Sequence, residues 1–235
     1  MKLGILKTGR PPKPAIERFG TYPDMFEALL GREAYDWRTY DVDGGELPKR
    51  PTECDAYLIT GSSAGVYEAL PWIGPAMDFL RAAKGQAALV GVCFGHQLMA
   101  QAFGGNVVKS PKGWGVGEHV YEVLHAEPWM GEAPLRVRLP ASHQDQVVEK
   151  PPGAEVVFAS EFTPYAALAW PGQRAISMQP HPEFAPAYAI SLIEHRRGGT
   201  YPDEQADAAI ASYSGADDRE RVAGWIRNFL AHATP

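Results

Sequence analysis

Short apolar runs and segments of helical periodicity alternate along the first hundred residues of the chain. Four runs predict β-strands, and the last is apolar as a strand buried on both faces would be: residues 2–6, 37–42, 56–60 and 87–92. Residues 22–30 and 73–84 instead repeat their apolar side chains at helical spacing, and each is followed by glycine. This alternation predicts an α/β fold with a largely parallel central sheet.

The pattern changes at two places. Residues 107–179 contain short runs in which apolar and polar positions alternate, which predicts a mixed or antiparallel extension of the sheet. Near the N-terminus, Pro11, Pro12 and Pro14 follow the first predicted strand, and we expect them to interrupt regular structure there.

The sequence predicts one domain over residues 1–235, with a core over 1–183 and a C-terminal helical elaboration over 184–235. No internal repeat, low-complexity tract or long linker divides it. The C-terminal part is long enough for about three helices, and the last of them has an apolar stripe that includes Trp225 and Ile226.

Composition narrows the class of protein. A chain of 235 residues can bury a full core without disulfides or a metal, and its net charge of −6 argues against nucleic acid or anionic membranes as partners. Cys54 and Cys93 form no CxxC motif, and no residues show metal-ligand spacing, so we predict no metal and no other cofactor. Without a signal peptide or an apolar run of transmembrane length, a cytoplasmic location is expected.

The most informative segment is Gly91-Val-Cys-Phe-Gly-His-Gln97, which continues from the fourth apolar run. Residues 97–103 suit a helix that the two following glycines would end. Cys93 would then stand at a sharp strand-to-helix turn, where the helix N-terminus favours the reactive thiolate. A buried structural cysteine is the alternative, but the flanking glycines in this context favour a nucleophile.

A cysteine nucleophile needs a base, and the base needs a group that orients it. Pro182 favours an extended backbone at His181, which would put His181 and Glu183 on the same face. A carboxylate beside the imidazole can set its tautomer and stabilise its charged form. His96 lies three residues after Cys93 and is the rival base, but it has no comparable acidic neighbour.

The loop Gly61-Ser-Ser-Ala-Gly65 follows the third predicted strand. It lacks the Lys-Ser/Thr ending of a phosphate-binding P-loop, so it does not predict a nucleotide site. Its glycines would allow close backbone approach to a ligand, and its amides, together with the amide of Phe94, could donate to a developing oxyanion. An ordinary strand-ending turn is the alternative.

Together these segments resemble class I glutamine amidotransferases, whose motifs occur in the same order. Residues 58–67 are similar to the oxyanion-strand loop of that family, and residues 141–147 are similar to its Ser-His-Gly-Asp segment. The resemblance covers most of the chain. It implies a flavodoxin-like three-layer α/β sandwich, with a mostly parallel central sheet, an antiparallel extension and C-terminal helices.

The resemblance also implies roles for individual residues. Cys93, His181 and Glu183 would form the catalytic triad, and the backbone amides of Ser62 and Phe94 would form the oxyanion hole. The substrate would be held by a further set, partly through backbone groups: Gly61, Gln97, Ser142, Gln144 and Asp145. The sequence departs from the family pattern at two of these segments. The oxyanion loop has Gly61-Ser-Ser63 where the family usually has Gly-Gly-Pro, and the Ser-His-Gly-Asp segment has Gln144 in place of glycine.

The implied activity is hydrolysis of the γ-carboxamide of glutamine through a cysteine thioester, which releases ammonia and glutamate. The chain would serve a separate ammonia-accepting synthetase or act as a free-standing protein that resembles the glutaminase domain of GMP synthase. A γ-glutamyl peptidase acting on glutathione-like substrates is the alternative. A catalytically silent binding or regulatory module is the alternative from another class, against which the complete Cys-His-Glu set argues.

Overall fold

A mixed β-sheet of nine strands organises the structure, a computed structural model that describes residues 1–232. The strands within that range are β1 (Lys2–Lys7), β2 (Asp36–Asp41), β3 (Ala56–Ile59), β4 (Ala88–Val92), β5 (Asn106–Lys109), β6 (Gly115–Val123), β7 (Arg136–His143), β8 (Asp145–Glu149), β9 (Glu155–Ala159), β10 (Ala167–Trp170) and β11 (Ala175–Met178). The order in the main sheet is β2-β1-β3-β4-β11-β10-β9-β6-β7, and β5 pairs separately with β8.

Helices connect and flank the strands. They are α1 (Lys13–Phe19), α2 (Tyr22–Leu30), α3 (Ile73–Ala83), α4 (Phe94–Ala102), α5 (Pro186–Arg196), α6 (Asp203–Ala211) and α7 (Arg219–His232). A capping box begins α2, in which Thr21 and Asp24 each bond the backbone amide of the other. No helix in the described part of the chain is long and apolar enough to cross a membrane.

The sheet changes character at its centre. From β2 to β11 the neighbouring strands are parallel, whereas β10, β9, β6 and β7 continue the sheet with antiparallel pairing. The expected antiparallel extension is therefore confirmed.

Alternate residues of the buried strands face two separate hydrophobic cores. Ile5 and Val90 belong to a core that α2 and α7 cover, and Ile59 and Leu89 belong to a core that α3 and α4 cover. Helices thus pack on both faces of the sheet, and the three-layer prediction is confirmed.

The C-terminal helix is part of the main core. Its side chains Val222, Trp225, Ile226, Phe229 and Leu230 are all buried in the same cluster as the strand residues. The three helices expected after residue 183 are present, and α7 closes one face of the sheet.

The expectation for the N-terminal prolines is wrong at Pro14, which lies inside α1 at one of its first two positions. The first N–H groups of a helix have no intrahelical partner, so a proline there removes no hydrogen bond. The carbonyl of Pro12 accepts bonds from the amides of Ala15 and Ile16, at 2.9 and 3.1 Å, and begins the helix.

Four neighbouring parallel strands, β1, β3, β4 and β11, end at the same edge of the sheet. The segments that continue from them carry Thr8, Gly61, Cys93 and His181, respectively. Ligands of open α/β sheets bind at the carboxyl ends of the strands, so the topology alone brings the predicted reactive residues together.

Candidate active site

Cys93 occupies the turn between β4 and α4. Its backbone has φ 53° and ψ −106°, a conformation that non-glycine residues rarely adopt and that is held here by the strand before it and the helix after it. Its side chain is largely buried, yet it lines two cavities. The turn therefore presents the sulfur to a cleft at the start of a helix, where a thiolate is favoured.

The two glycines that flank the cysteine allow α4 to lie close against the sheet. A Cβ on Gly91 would come within 2.6 Å of the carbonyl oxygen of Gly95, and a Cβ on Gly95 would overlap the carbonyl of Ile59. Any side chain at either position would push the helix away from β3 and β4. The Gly-x-Cys-x-Gly spacing is thus a packing requirement of this turn.

His181 and Glu183 form a buried pair beside the cysteine. His181 Nδ1 donates to Glu183 Oε1 at 2.7 Å, and the backbone N–H of His181 donates to the carbonyl of Pro140 at 2.8 Å. The first bond leaves the opposite ring nitrogen for Cys93, with whose side chain His181 interacts electrostatically. The structure thus places all three residues together.

Burial alone would lower the pKa of His181, but the Glu183 carboxylate and Cys93 oppose this effect and raise the pKa to about 10. The imidazolium is therefore the favoured form at neutral pH. The ring of Phe184 stacks on the imidazole, with 3.8 Å between centroids and 9° between planes, and fixes its orientation.

His96, the rival base, does not fit the role. It is fully buried, its Nδ1 lies 2.8 Å from Ser177 Oγ, and burial lowers its pKa to about 3. His143 is similar, since its Nδ1 lies 3.1 Å from the carbonyl oxygen of Asp145 and burial lowers its pKa to about 3. The lowered pKa values keep both histidines neutral, and their Nδ1 atoms lie against Ser177 of β11 and Asp145 of β8, respectively.

The loop after β3 touches both reactive side chains. A Cβ on Gly61 would lie 3.3 Å from His181 Cε1 and 3.7 Å from Cys93 Cβ, so the Gly61 backbone packs against the pair. Its carbonyl oxygen lies 3.3 Å from the hydroxyl of Thr8 and 3.2 Å from that of Thr60. The C=O and N–H groups of a trans peptide point in opposite directions. The N–H of Ser62, which shares a peptide with the Gly61 carbonyl, therefore points away from Thr8.

Phe94 begins α4, so its N–H has no partner within the helix. Phe94 and Ser62, the two residues expected to donate to an oxyanion, therefore flank Cys93 from α4 and from the β3 loop.

Two cavities meet at Cys93. The larger cavity, of about 390 Å³, contains four of the five residues expected to hold substrate: Gln97, Ser142, Gln144 and Asp145. The fifth, Gly61, lines the smaller cavity of about 200 Å³. Gln97 Nε2 donates to the Asp145 carbonyl at 2.9 Å and to Gln179 Oε1 at 3.0 Å, so this side chain also holds the 142–145 loop in place.

Charges of both signs surround the larger cavity. Glu68 and Asp145 supply carboxylates, whereas Lys109 and Arg196 supply cations. Sequence reasoning missed Arg196, which stands in the last turn of α5 and donates to Ser142 Oγ at 3.1 Å. No motif marks it, because its place follows from how α5 packs beside the cleft.

A further cluster lies away from the cleft, toward the opposite end of the sheet. Ligand atoms of His125, Glu127 and Glu155 lie within 4.8 Å of one another, and His125 Nε2 is 3.2 Å from Glu155 Oε2. Spacing along the chain did not reveal this group, because Glu155 comes from β9. His125 and Glu155 are about half exposed, as solvated surface charges commonly are.

Comparison with known proteins extends these observations. The family model for class I glutamine amidotransferases matches residues 35–193. A glutamine amidotransferase-like protein of Schizosaccharomyces pombe is 29% identical over 97% of this chain and 98% of its own length. Gamma-glutamyl peptidase 4 of Arabidopsis thaliana is 29% identical over 92% of this chain and 90% of its own length.

Two further matches differ in extent. The glutamine-hydrolysing GMP synthase of Thermus thermophilus is 40% identical over 41% of this chain, but the match covers 19% of that protein. The crystal structure of a glutamine amidotransferase from Thermotoga maritima superposes with a TM-score of 0.76 at 20% identity, over 99% of this chain and 97% of that one. This likeness supports the flavodoxin-like fold. The chain belongs to the class I glutamine amidotransferase family.

Proposed function

We propose that this protein hydrolyses γ-glutamyl amides, with glutamine as the simplest substrate, through a thioester on Cys93. The observation that carries the proposal is the arrangement of Cys93 at a strained strand-to-helix turn beside the His181–Glu183 pair. A nucleophile, a base and a group that orients the base are the three components that such acyl transfer requires.

In the first half of the reaction, the Cys93 thiolate attacks the γ-carbonyl carbon and forms a C–S bond. His181, charged at the outset, donates its proton to the departing nitrogen as the C–N bond breaks. Ammonia leaves, and a γ-glutamyl thioester remains. In the second half, His181 takes a proton from water, the hydroxide attacks the thioester, and glutamate leaves as the thiolate is restored.

The negative charge that develops on the carbonyl oxygen in both halves needs donors. We assign this role to the N–H groups of Ser62 and Phe94. The direction of the Gly61 carbonyl, toward Thr8 and Thr60, supports the assignment, because it turns the Ser62 N–H the other way.

The larger cavity suits the glutamyl part of the substrate. An amino acid carries an α-ammonium and an α-carboxylate, and the cavity offers Glu68 and Asp145 for the former and Lys109 and Arg196 for the latter. Gln97, which lines the same cavity, holds the backbone of Asp145 there. The larger cavity therefore provides both signs of charge that a zwitterionic head group needs.

A γ-glutamyl peptide is the second candidate substrate. The extent of the matches favours it, since this chain aligns with 90% of a gamma-glutamyl peptidase but with 19% of a GMP synthase. If ammonia is instead the product that matters, a separate synthetase would receive it. In either case we propose that residues 1–235 form a single domain.

The experiment compares release of glutamate from glutamine and from a panel of γ-glutamyl dipeptides. Cys93→Ala should abolish turnover of every substrate, whereas Cys54→Ala, a change at the other buried cysteine, should retain it. Turnover by folded Cys93→Ala protein would overturn the thioester mechanism. Folded wild-type protein without turnover of any substrate would favour the binding or regulatory module.

A further inference from the structure

The two cavities that meet at Cys93 lie on different sides of it. Both are lined by Ser62, Ser63, Cys93, Ser142 and Arg196, so they join above the sulfur. A bound amide must extend in two directions from its carbonyl carbon, with the acyl chain on one side and the amine on the other. The two cavities offer one space for each part.

His181 identifies the side that takes the amine. The general acid must stand next to the nitrogen that leaves, and His181 lines the smaller cavity but not the larger one. The acyl group therefore occupies the larger cavity and the leaving amine enters the smaller one. Ammonia needs little space, whereas about 200 Å³ holds several water molecules at roughly 30 Å³ each.

The charged side chains around the smaller cavity are of one sign. Apart from the reacting Cys93–His181 pair, they are Arg10 and Arg196, and no carboxylate of residues 1–232 lines this space. The carboxylates near the cleft, Glu68 and Asp145, line the larger cavity. The smaller cavity thus selects for negative charge, which neither ammonia nor a neutral amine carries.

Arg10 is held at the mouth of the smaller cavity by the chain around it. Pro11 and Pro12 follow it, and its Nη2 donates to Asp43 Oδ2 at 3.2 Å. Asp43 also binds Lys7 at 2.5 Å. A guanidinium carries five N–H donors, so an arginine held at one corner keeps donors for a second anion.

Arg196 stands on the other side and is positioned without a carboxylate. Its Nη1 donates to Ser142 Oγ at 3.1 Å, and its guanidinium lies 5.4 Å from the centroid of the Trp114 ring. Within the described part of the chain, none of the ion pairs involves Arg196. A cation held in a cleft without a counter-ion is a site for an anionic ligand.

We infer that the smaller cavity binds a leaving amine that carries a carboxylate, so that the preferred substrates are γ-glutamyl derivatives of amino acids or peptides, with Arg10 as the group that recognises the carboxylate. This inference rests on the proposed Cys93 chemistry and names the substrate class of the same site. The bond that breaks is unchanged, and the proton from His181 goes to the nitrogen of the departing amino acid.

Two substrates of nearly equal size test the inference: γ-glutamylglycine, whose leaving group is anionic, and γ-glutamylglycinamide, whose leaving group is not. In the wild-type protein, kcat/KM for γ-glutamylglycine should exceed kcat/KM for γ-glutamylglycinamide by a ratio of about ten or more. Arg10→Gln should bring that ratio close to one, and Arg10→Lys should retain part of it. The expected factor is modest, because the Arg10 side chain is 62% exposed and water screens its charge.

Arg18→Gln is the matched control. Arg18 is an exposed arginine of α1 that lines neither cavity, so its removal changes the net charge equally and should leave the wild-type ratio in place. A wild-type ratio near one, or a ratio that Arg10→Gln does not change, would overturn the inference.

A different result would overturn the proposed function. If folded wild-type protein hydrolysed neither glutamine nor either γ-glutamyl substrate, the thioester chemistry would be wrong, and the inference with it. Cysteine-dependent turnover of glutamine without discrimination between the two glycine substrates would overturn the inference alone.

Discussion

The hydroxyl of Thr8 lies 3.3 Å from the carbonyl oxygen of Gly61, across the gap between the ends of β1 and β3. The same hydroxyl donates to the carbonyl of Thr60 at 2.9 Å, and the amide of Thr8 donates to Thr60 Oγ1 at 3.1 Å. All these groups are buried. The end of β1 therefore fixes the orientation of the peptide that joins Gly61 to Ser62, and with it the direction of one proposed oxyanion donor.

Thr8→Val tests whether this contact prepares the site. Valine has nearly the same shape but no hydroxyl, so the carbonyls of Thr60 and Gly61 would lose the donor that they share. The Thr60 hydroxyl alone would then hold the Gly61 carbonyl, and the Gly61–Ser62 peptide would be fixed less firmly. Losing an oxyanion donor outright costs roughly 10²–10³ in turnover, and a loosened donor should cost about tenfold. The measurement is kcat and KM for the best substrate, and we expect the loss in kcat.

Thr8→Ser provides the control, because it keeps the hydroxyl and should restore most of the turnover that valine removes. The affinity for an aldehyde analogue of the substrate, which forms an oxyanion on Cys93, should follow kcat in both variants. Unchanged kcat in a folded Thr8→Val protein would show that the oxyanion donor does not depend on this contact.

Glu183→Gln should reduce kcat by roughly 10²–10⁴-fold, because the imidazolium would lose its charged partner and its preferred orientation. The bond at stake is that between His181 Nδ1 and Glu183 Oε1, both of which are buried. Steady-state kinetics and a thermal unfolding scan of the same sample separate lost catalysis from lost folding. Glu220→Gln, at an exposed position of α7, is the matched control.

The raised pKa of His181 also predicts how stability depends on pH. Its pKa of about 10 in the folded protein exceeds the ordinary value near 6.5, so the folded state binds more protons between these limits. The stabilisation is complete below about pH 6.5 and is lost as the pH rises through 10, with a slope approaching about 1.4 kcal/mol per unit.

Urea unfolding of the wild-type protein at several pH values measures this dependence. The change Glu183→Gln removes the largest influence that raises the pKa of His181 and should flatten the dependence between pH 7 and 9.5. Equal slopes in the two proteins would contradict a charged His181 held by Glu183.

Ile226→Ala should lower the free energy of unfolding by about 2–5 kcal/mol, because Ile226 is fully buried where α7 covers the sheet. Glu220→Ala, on the exposed side of the same helix, should change it by less than about 0.5 kcal/mol. Chemical unfolding at equilibrium measures both. A small effect of Ile226→Ala would mean that the C-terminal helix is peripheral to the core.

The sequence predicts best where function and packing impose local patterns. The glycines around Cys93 and the prolines around His181 have backbone requirements that can be recognised without a structure, and the apolar runs predict the strands. The prediction that Pro14 interrupts regular structure was wrong. A proline usually interrupts a helix, but it is tolerated in the first turn, where Pro14 lies in α1.

Contacts between distant segments could not be predicted in this way. Thr8 and Thr60 are 52 positions apart and meet only because β1 and β3 are neighbours in the sheet. Arg10 and Arg196 reach the same cavity from opposite ends of the chain. Nothing in the residues beside them indicates this proximity, since it arises from the packing of whole elements.

The most direct test of the account is the site of covalent modification by a glutamine-mimicking electrophile such as a diazoketone analogue. Peptide mass spectrometry should find one adduct per chain, on Cys93, at a rate that added substrate slows. Cys54→Ala protein should be modified equally, and Cys93→Ala protein should not be modified. An adduct on Cys54, or none on Cys93 in folded protein that turns over substrate, would contradict the assignment of Cys93 as the nucleophile.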